Sequence, residues 1–345
     1  VTKAAVRRGW EVLGLRDGFR GLVENDAVHM GDGDVSGILV RGGTVLGTSN
    51  TANPFRYTLP PLGSCDKPRD LSKQAFKNFK DLGLDALVAI GGDGTLTMAG
   101  QLYRRGMPVV GVPKTIDNDL SATDVTFGFD SALQVATEAV DRLHTTAESH
   151  NRVMIVETMG RYAGWIALRA GIAGGGDIIL LPEIPYRAGD IVKAVLERKR
   201  KGKKFSIIVV AEGARPEKGE MTVTKVVKGS PDPLRLGGVS YKIAELLEKG
   251  KVGLESRVVV LGHVQRGGEP TAFDRWLATG FGVKAGELLA ARKFGQMVSF
   301  RHYGFTGVPL AQAVGKLRRV QLSSQEVRTA LAVGTSFGNS KVTGK

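Results

Sequence analysis

The chain has 345 residues, 42% apolar and 24% charged, enough to bury a full core and, at about 150 residues per domain, to form roughly two domains. No apolar run approaches the ~20 residues that span a bilayer, and the single cysteine, Cys65, can form no internal disulfide, so the composition argues against a membrane or secreted role and for a cytoplasmic one. Lys and Arg outnumber Asp and Glu by 48 to 34, a net charge of +14, which favours anionic partners such as phosphorylated metabolites or nucleic acid.

In chain order, near-continuous apolar runs fall at 85–92 (DALVAIGG), 107–113 (MPVVGVP), 152–160 (RVMIVETMG), 177–183 (DIILLPE), 205–213 (FSIIVVAEG) and 257–268 (RVVVLGHVQRGG). Strands covered on both faces have this pattern. Helical patterns separate them. The clearest is SALQVATEAVDRLHTTA, where Leu133, Ala136, Val140 and Leu143 recur at helical spacing behind a cap at Asp130 or Ser131. The basic run RKRKGKK, Arg198–Lys204, closes another helix, and cations there complement the helix dipole. No aromatic-interleaved basic stretch accompanies it, which argues against nucleic-acid binding. Near the end, Ser323-Ser-Gln-Glu326 has the form of a capping box. The alternation predicts an α/β fold of parallel sheets sandwiched by helices.

In such folds ligands bind beyond the carboxyl ends of the strands. All six runs end in polar groups: Asp93; Asp117 and Asp119; Met159-Gly160-Arg161; Glu183; Glu212; His263 with Arg266. Any one of them alone would be ordinary turn chemistry, but together they predict a shared cleft. GGDGT, at Gly91–Thr95, offers glycines for close approach to phosphate, a helix N-terminus, and Asp93 for Mg²⁺. It lacks the spacing of a Walker loop. If the backbone stays extended through Asp117-Asn118-Asp119, both carboxylates project to one side, one as base and one beside a metal, as phosphoryl transfer requires. The competing reading is a turn in which Asn118 and Asp119 bond their own backbone. Arg152, Arg161, Arg257 and Arg266 flank the same strands and suit bidentate grip on phosphate.

GGDGT, GVPKTIDNDL, TFGFDSA, VETMGRYAGWIAL, LLPEIP, VVAEGA and LGHVQRGGEPTAFDR, in this order, resemble the 6-phosphofructokinase family from about Trp10 to Val320. The resemblance implies two similar Rossmann-like three-layer αβα domains with the active cleft between them. Residues 1–128 with 266–300 would bind the phosphoryl donor and Mg²⁺, and 129–265 with 301–345 the sugar phosphate. The implied reaction transfers a phosphoryl group from ATP to the 1-hydroxyl of fructose 6-phosphate, giving fructose 1,6-bisphosphate in glycolysis. By matching motif, Asp117 would be the general base, Asp119 its metal-side partner, Thr115 a partner of the transferring phosphoryl group, Arg161 a further catalytic residue, and Asp93 the organiser of Mg²⁺. Gly92, Asp93, Gly94, Thr95 and Lys114 would hold the donor. Thr115, Asp117, Arg152, Met159, Gly160, Arg161, Glu212, Arg257, His263 and Arg266 would hold the sugar phosphate. Arg152 and Arg257 would reach in from a neighbouring subunit of a homodimer or homotetramer.

Gly94 leaves room for the α-phosphate of ATP, whereas Lys114 resembles pyrophosphate-using members; volume and charge at residue 94 weigh for ATP, with pyrophosphate the alternative. Three departures stand out. The family begins with a strand and a phosphate loop, so about 20 residues are expected before Val1, and the chain alone is expected to be inactive or poorly folded. Asn50 and Thr51 occupy the region where the family usually carries an Arg against the transferred phosphoryl group, with Arg56 the nearest cation downstream, which leaves a non-catalytic sugar-phosphate-binding homologue as a further alternative. Lys201 and Lys203 fall where allosteric members bind an effector.

Overall fold

The computed structural model describes residues 1–49, 51–58, 68–227 and 233–343; Asn50 and Cys65 lie outside them. Helix α1 (Thr2–Val6), a small hairpin of β1 (Leu13–Leu15) and β2 (Ala27–His29) enclosing α2 (Phe19–Glu24), and α3 (Ser72–Asp81) lead into β3 (Leu87–Gly91), α4 (Asp93–Arg104) and β4 (Val109–Pro113). There follow α5 (Phe129–His150), β5 (Val153–Thr158), α6 (Trp165–Ala173), β6 (Ile178–Leu180), α7 (Ala188–Arg200) and β7 (Ser206–Ala211). An antiparallel ribbon of β8 (Val223–Val226) and β9 (Leu234–Leu236) precedes α8 (Val239–Lys249) and β10 (Ser256–Val260). The chain closes with α9 (Ala272–Ala290), β11 (Gln296–Arg301), β12 (Gly304–Pro309), α10 (Leu310–Ala313) and α11 (Gln325–Ala332).

The six apolar runs all form strands, in two four-stranded sheets of order β12-β11-β4-β3 and β10-β5-β7-β6. The second sheet is parallel throughout, and in the first only β12 runs antiparallel. Every residue of β5 and β7 is buried, which is why their sequences do not alternate. Met154, Val156, Ile207 and Val209 pack with Ala136 and Val140 of α5 and Ile166 and Ala170 of α6. Val153, Ile155, Ile208 and Val210 face the other way, against Ile191 and Val195 of α7 and Ile243 and Leu247 of α8. The first sheet is layered likewise, with Leu87, Ala89 and Val109 against α3 and α4, and Val110 and Val112 against α9. Each lobe is thus a three-layer α/β sandwich, in which truncating a buried Ile or Leu to Ala costs about 2–5 kcal/mol.

Strand β12 is paired to β11 along its whole length, from Gln296↔Pro309 to Arg301↔Gly304. The domain boundary expected between residues 300 and 301 therefore cuts a hairpin, and residues 304–309 sit with the first sheet. Helix α11 then packs on α6 of the second lobe. With β3 and β4 in the first sheet, β5 to β10 serving the second, and β11 and β12 back in the first, the chain passes between the lobes three times.

Two expected caps are corrected. Helix α5 has Gly128 at its N-cap with φ 97°, not Asp130 or Ser131. Its first turn is capped from α9 instead: Asp274 accepts hydrogen bonds from Ser131 N–H and Ser131 Oγ, while Asp130 accepts one from the Thr271 hydroxyl. At α11 the capping oxygen belongs to Ser324, which accepts from Val327 N–H, and Glu326 pairs with Arg169 rather than closing a box with Ser323. In the basic run that closes α7, Arg198 is tied into the fold by Asp177, Ser206 and the Phe205 carbonyl. Among the described residues no helix is long and apolar enough to cross a membrane.

Candidate active site

Strand β3 ends in the GGDGT segment, and α4 starts at Asp93 with Gly92 as its N-cap. The Lys114 N–H bonds the Gly91 carbonyl, so the ends of β3 and β4 lie side by side. A Cβ placed on Gly92 would stand 3.4 Å from that of Thr115, and one on Gly91 only 2.5 Å from that of Thr95. A side chain at residue 91 would collide with Thr95. At Gly94 the situation is opposite: a Cβ there meets no heavy atom within 4 Å.

The TIDND segment follows β4 as a turn, not an extension. Asn118 is fully buried in the left-handed region, φ 51°, so the two carboxylates are not aligned by strand alternation as expected. The Asn118 side chain does not close a turn on its own backbone, whereas the Asp119 carboxyl does take its own backbone N–H. The Asn118 side-chain carbonyl accepts a hydrogen bond from Thr126 N–H, eight residues on, at 3.1 Å. Asp117 and Asp119 are both buried, yet Asp117 Oδ1 and Asp119 Oδ1 have no donor among the described residues. Asp117 keeps one contact on its other oxygen, from the Thr115 hydroxyl at 3.5 Å.

Buried oxygens without donors should resist ionisation. Burial pushes the Asp119 carboxyl up to about 7, with the neighbouring Asp117 and Asp93 carboxylates adding to the shift. Asp117 is raised as well, burial outweighing the nearby Arg161 and Arg266 guanidinium groups. Lys114 completes the cluster. Desolvation, then repulsion from Arg266, lowers its ammonium, against the pull of Asp117.

The second sheet supplies the opposite wall. Met159 is buried just past β5, Gly160 takes φ 137°, and Arg161 takes φ 52°. The Arg161 carbonyl comes so close to the end of β7 that a Cβ on Gly213 would lie 1.9 Å from it, so only glycine fits there. Glu212 accepts the Arg161 N–H at 3.0 Å, and burial, with repulsion from Asp117, brings its carboxyl up to about 7. His263 and Arg266 lie on an exposed 3₁₀ turn after β10, Gly262–Arg266. The structure thus brings together Gly92, Asp93, Gly94, Thr95, Lys114, Thr115, Asp117 and Asp119 from the first lobe with Met159, Gly160, Arg161, Glu212, His263 and Arg266 from the second.

Arg152 and Arg257 are not among them. They precede β5 and begin β10, at the edge of the parallel sheet opposite to the site, about 20 Å away by strand rise. There both arginines pair with Glu255. Glu183 is also spent elsewhere, accepting Gly164 N–H at the start of α6 and Val320 N–H. Arg56 is exposed, and among the described residues the Thr51 hydroxyl meets that of Ser49 at 3.4 Å. Sequence reasoning missed the segment 315–320, whose Gly315 N–H reaches Asp93 Oδ1 at 3.3 Å; it belongs to no periodic pattern and offers no motif.

Glycine-lined helix N-terminus, buried carboxylates and guanidinium groups at facing strand ends define a two-lobed α/β phosphotransferase. The family model for phosphofructokinase matches residues 1–289. The chain is 52% identical over 340 residues to ATP-dependent 6-phosphofructokinase 2 of Clostridium perfringens, covering 98% of this chain and 93% of that one. It is 47% identical over 344 residues to the pyrophosphate–fructose 6-phosphate 1-phosphotransferase of Streptomyces coelicolor, covering 98% and 95%. Among solved structures, Pichia pastoris phosphofructokinase in the T-state superposes with a TM-score of 0.76 at 31% identity; 98% of this chain is covered but 34% of that one, so the chain spans about a third of its length. The chain belongs to the phosphofructokinase family.

Proposed function

We propose that the chain is a 6-phosphofructokinase that transfers the γ-phosphoryl group of ATP to the 1-hydroxyl of fructose 6-phosphate, yielding ADP and fructose 1,6-bisphosphate as a glycolytic step in the cytoplasm. The observation that carries this reading is Asp117 Oδ1: a buried carboxylate oxygen with no donor among the described residues, at the junction of the two lobes. A substrate hydroxyl bonded there would give up its proton to Asp117 as its oxygen attacks phosphorus. Thr115 and Arg161 would bond the phosphoryl oxygens in flight, and Arg266 and Lys114 would offset their charge. Gly92 to Thr95 would seat the donor phosphates at the N-terminus of α4. Met159, Gly160, Glu212 and His263 would orient the sugar, making the first lobe the donor side and the second the acceptor side.

Mg²⁺ fits this donor set. It takes one or two carboxylates with phosphate oxygens and water rather than a cage of protein ligands. Among the described residues there is no cluster of three or more His, Cys, Asp or Glu that could hold a metal, while Asp119 Oδ1 lacks a donor and Asp93 has one 3.3 Å contact from Gly315. Asp93 and Asp119 would hold the ion, which would neutralise charge on the donor phosphates. Arg152 and Arg257, facing away from their own site, suit a homodimer or homotetramer in which they reach the sugar phosphate of a neighbouring subunit.

A second donor has support of its own. Lys114 beside Arg266 offers two cations to a small dense anion, and one close relative carries pyrophosphate in its name. The test is turnover of fructose 6-phosphate with Mg²⁺ and either ATP or pyrophosphate. Turnover with ATP and not pyrophosphate is expected, the reverse reassigns the donor, and sugar-phosphate binding without turnover makes the chain a non-catalytic homologue.

A further inference from the structure

Two non-glycine residues of the turn that carries the buried carboxylates, Asn118 and Ala122, hold left-handed backbone at φ 51° and 64°. Such a conformation persists only where its surroundings impose it. Thr126 holds Asn118 on one side and the Ser299 hydroxyl bonds the Ala122 carbonyl on another. The remaining support comes from residues 315–320. Arg318 N–H bonds the Asp119 carbonyl at 2.7 Å, Arg318 Nη1 lies 3.5 Å from the Asn118 carbonyl, and the Ser121 hydroxyl bonds the Lys316 carbonyl at 2.6 Å.

The same segment is fastened at both ends. Gly315, at φ 79°, donates its N–H to Asp93 in the first lobe, and Val320 donates to Glu183 beyond β6 in the second. In the middle, the Arg318 guanidinium stacks over the Trp165 ring, 4.4 Å from its centroid, while Trp165 Nε1–H bonds the Arg318 carbonyl at 2.9 Å. Trp165 is buried at the first turn of α6, so it is a rigid post. We propose that residues 315–320 form a strap across the lobes and that Arg318, stacked on Trp165, is a positioning residue that fixes the backbone of Asn118 and Asp119. Resting on the phosphoryl-transfer reading above, this assigns Arg318 an effect on the attack geometry and none on sugar binding.

Lysine would keep the charge and the backbone N–H but lose the planar fork and the stack. Small misplacements of reacting groups cost orders of magnitude in rate. The test compares Arg318→Leu, Arg318→Lys and Trp165→Phe with the parent chain by two readouts: hydrogen exchange of the segment 115–122 without substrate, and kcat and KM for fructose 6-phosphate. Arg318→Leu is expected to raise exchange at 116–120 about tenfold and lower kcat at least tenfold, with KM within threefold. Arg318→Lys should fall between it and the parent. If Arg318→Leu does not fold, Trp165→Phe, which removes the bond to the Arg318 carbonyl and shrinks the face under the guanidinium, is expected to move both readouts the same way. Unchanged exchange, or raised exchange with kcat within twofold, overturns the assignment. A parent chain inactive with both donors whose 116–120 exchange still rises in Arg318→Leu would refute the function and leave the strap standing.

Discussion

Asp274 and Ser131, 143 residues apart, tie two helix N-termini together: the carboxylate takes the Ser131 N–H at 2.8 Å and its hydroxyl at 2.6 Å, while Ser131 Oγ accepts the Thr271 N–H at 3.1 Å. Helices α5 and α9 therefore cap one another. Removing the Asp274 carboxylate strips both Ser131 donors at once, while the Thr271 hydroxyl still caps α9 through the Asp274 N–H; bonds to a charged acceptor contribute about 1.5–3 kcal/mol each. Asp274→Ala should lower the stability of the chain by about 3 kcal/mol in urea unfolding. Asp274→Asn, which keeps an acceptor oxygen, should lose about 1 kcal/mol. An alanine variant as stable as the parent would show that the caps are supplied by water.

The raised carboxyls of the cleft have a pH signature. Asp119 and Glu212 both stand at about 7 in the folded chain, above their ordinary values of 3.8 and 4.5. A group whose folded pKa is raised stabilises below its unfolded value, and that contribution is lost as pH climbs through the folded value. The substrate-free protein should therefore gain stability from these two groups as pH falls from 8 toward 5. Asp119→Asn should be the more stable protein at pH 8, by about 2 kcal/mol, and the advantage should vanish near pH 4. Chemical denaturation at the two pH values measures this; a variant less stable than the parent at pH 8 would contradict it.

Gly94 can be tested by charge and volume. Because a Cβ there meets nothing, Gly94→Asp should fold normally. Its carboxylate would face the α-phosphate of a bound nucleotide, and like-charge contact at a binding site costs several kcal/mol. The ATP kcat/KM should fall by at least about 10²-fold while turnover with pyrophosphate is spared. Equal loss with both donors would remove residue 94 as the discriminator.

Arg257 lies at the end of the second sheet remote from the cleft that holds Asp117. If Arg257 serves a neighbouring subunit, Arg257→Leu and Asp117→Asn chains should each be at least about 10²-fold impaired alone, yet regain activity when unfolded and refolded together. Mixed oligomers then contain sites with both groups intact. Activity that stays at the sum of the two separate samples would place Arg257 outside catalysis.

The strands were legible because β5 and β7 are buried on both faces, which turns their sequences into unbroken apolar runs. The cleft was legible for a related reason: in parallel sheets the residues that follow strands converge on one edge, so Asp93, Asp117, Arg161, Glu212 and Arg266 could be grouped without coordinates. The same logic, applied to residues that precede strands, sends Arg152 and Arg257 to the far edge, where Glu255 pairs with both. Grouping by strand put them in the cleft of their own chain, where the structure does not. Asn118 was misread because residue type does not fix the sign of φ; the Thr126 amide does that, from outside the motif. The caps of α5 were misplaced for the same reason, since the capping oxygen came from a helix over a hundred residues away. The segment 315–320 has neither periodicity nor motif, and its role follows only from what lies on either side of it.

The three passages of the chain between the lobes, the last of them running after β12 toward α11, make the two halves inseparable as modules. No single cut separates the lobes, because the first sheet joins β3 and β4 to β11 and β12 across the stretch 153–260 that forms the second. A genetic fusion that exchanged the whole second lobe, α11 included, would have to splice at three junctions, each of them close to the cleft. For such an architecture, changes of substrate are expected to arise by point substitution at the strand ends rather than by shuffling of domains.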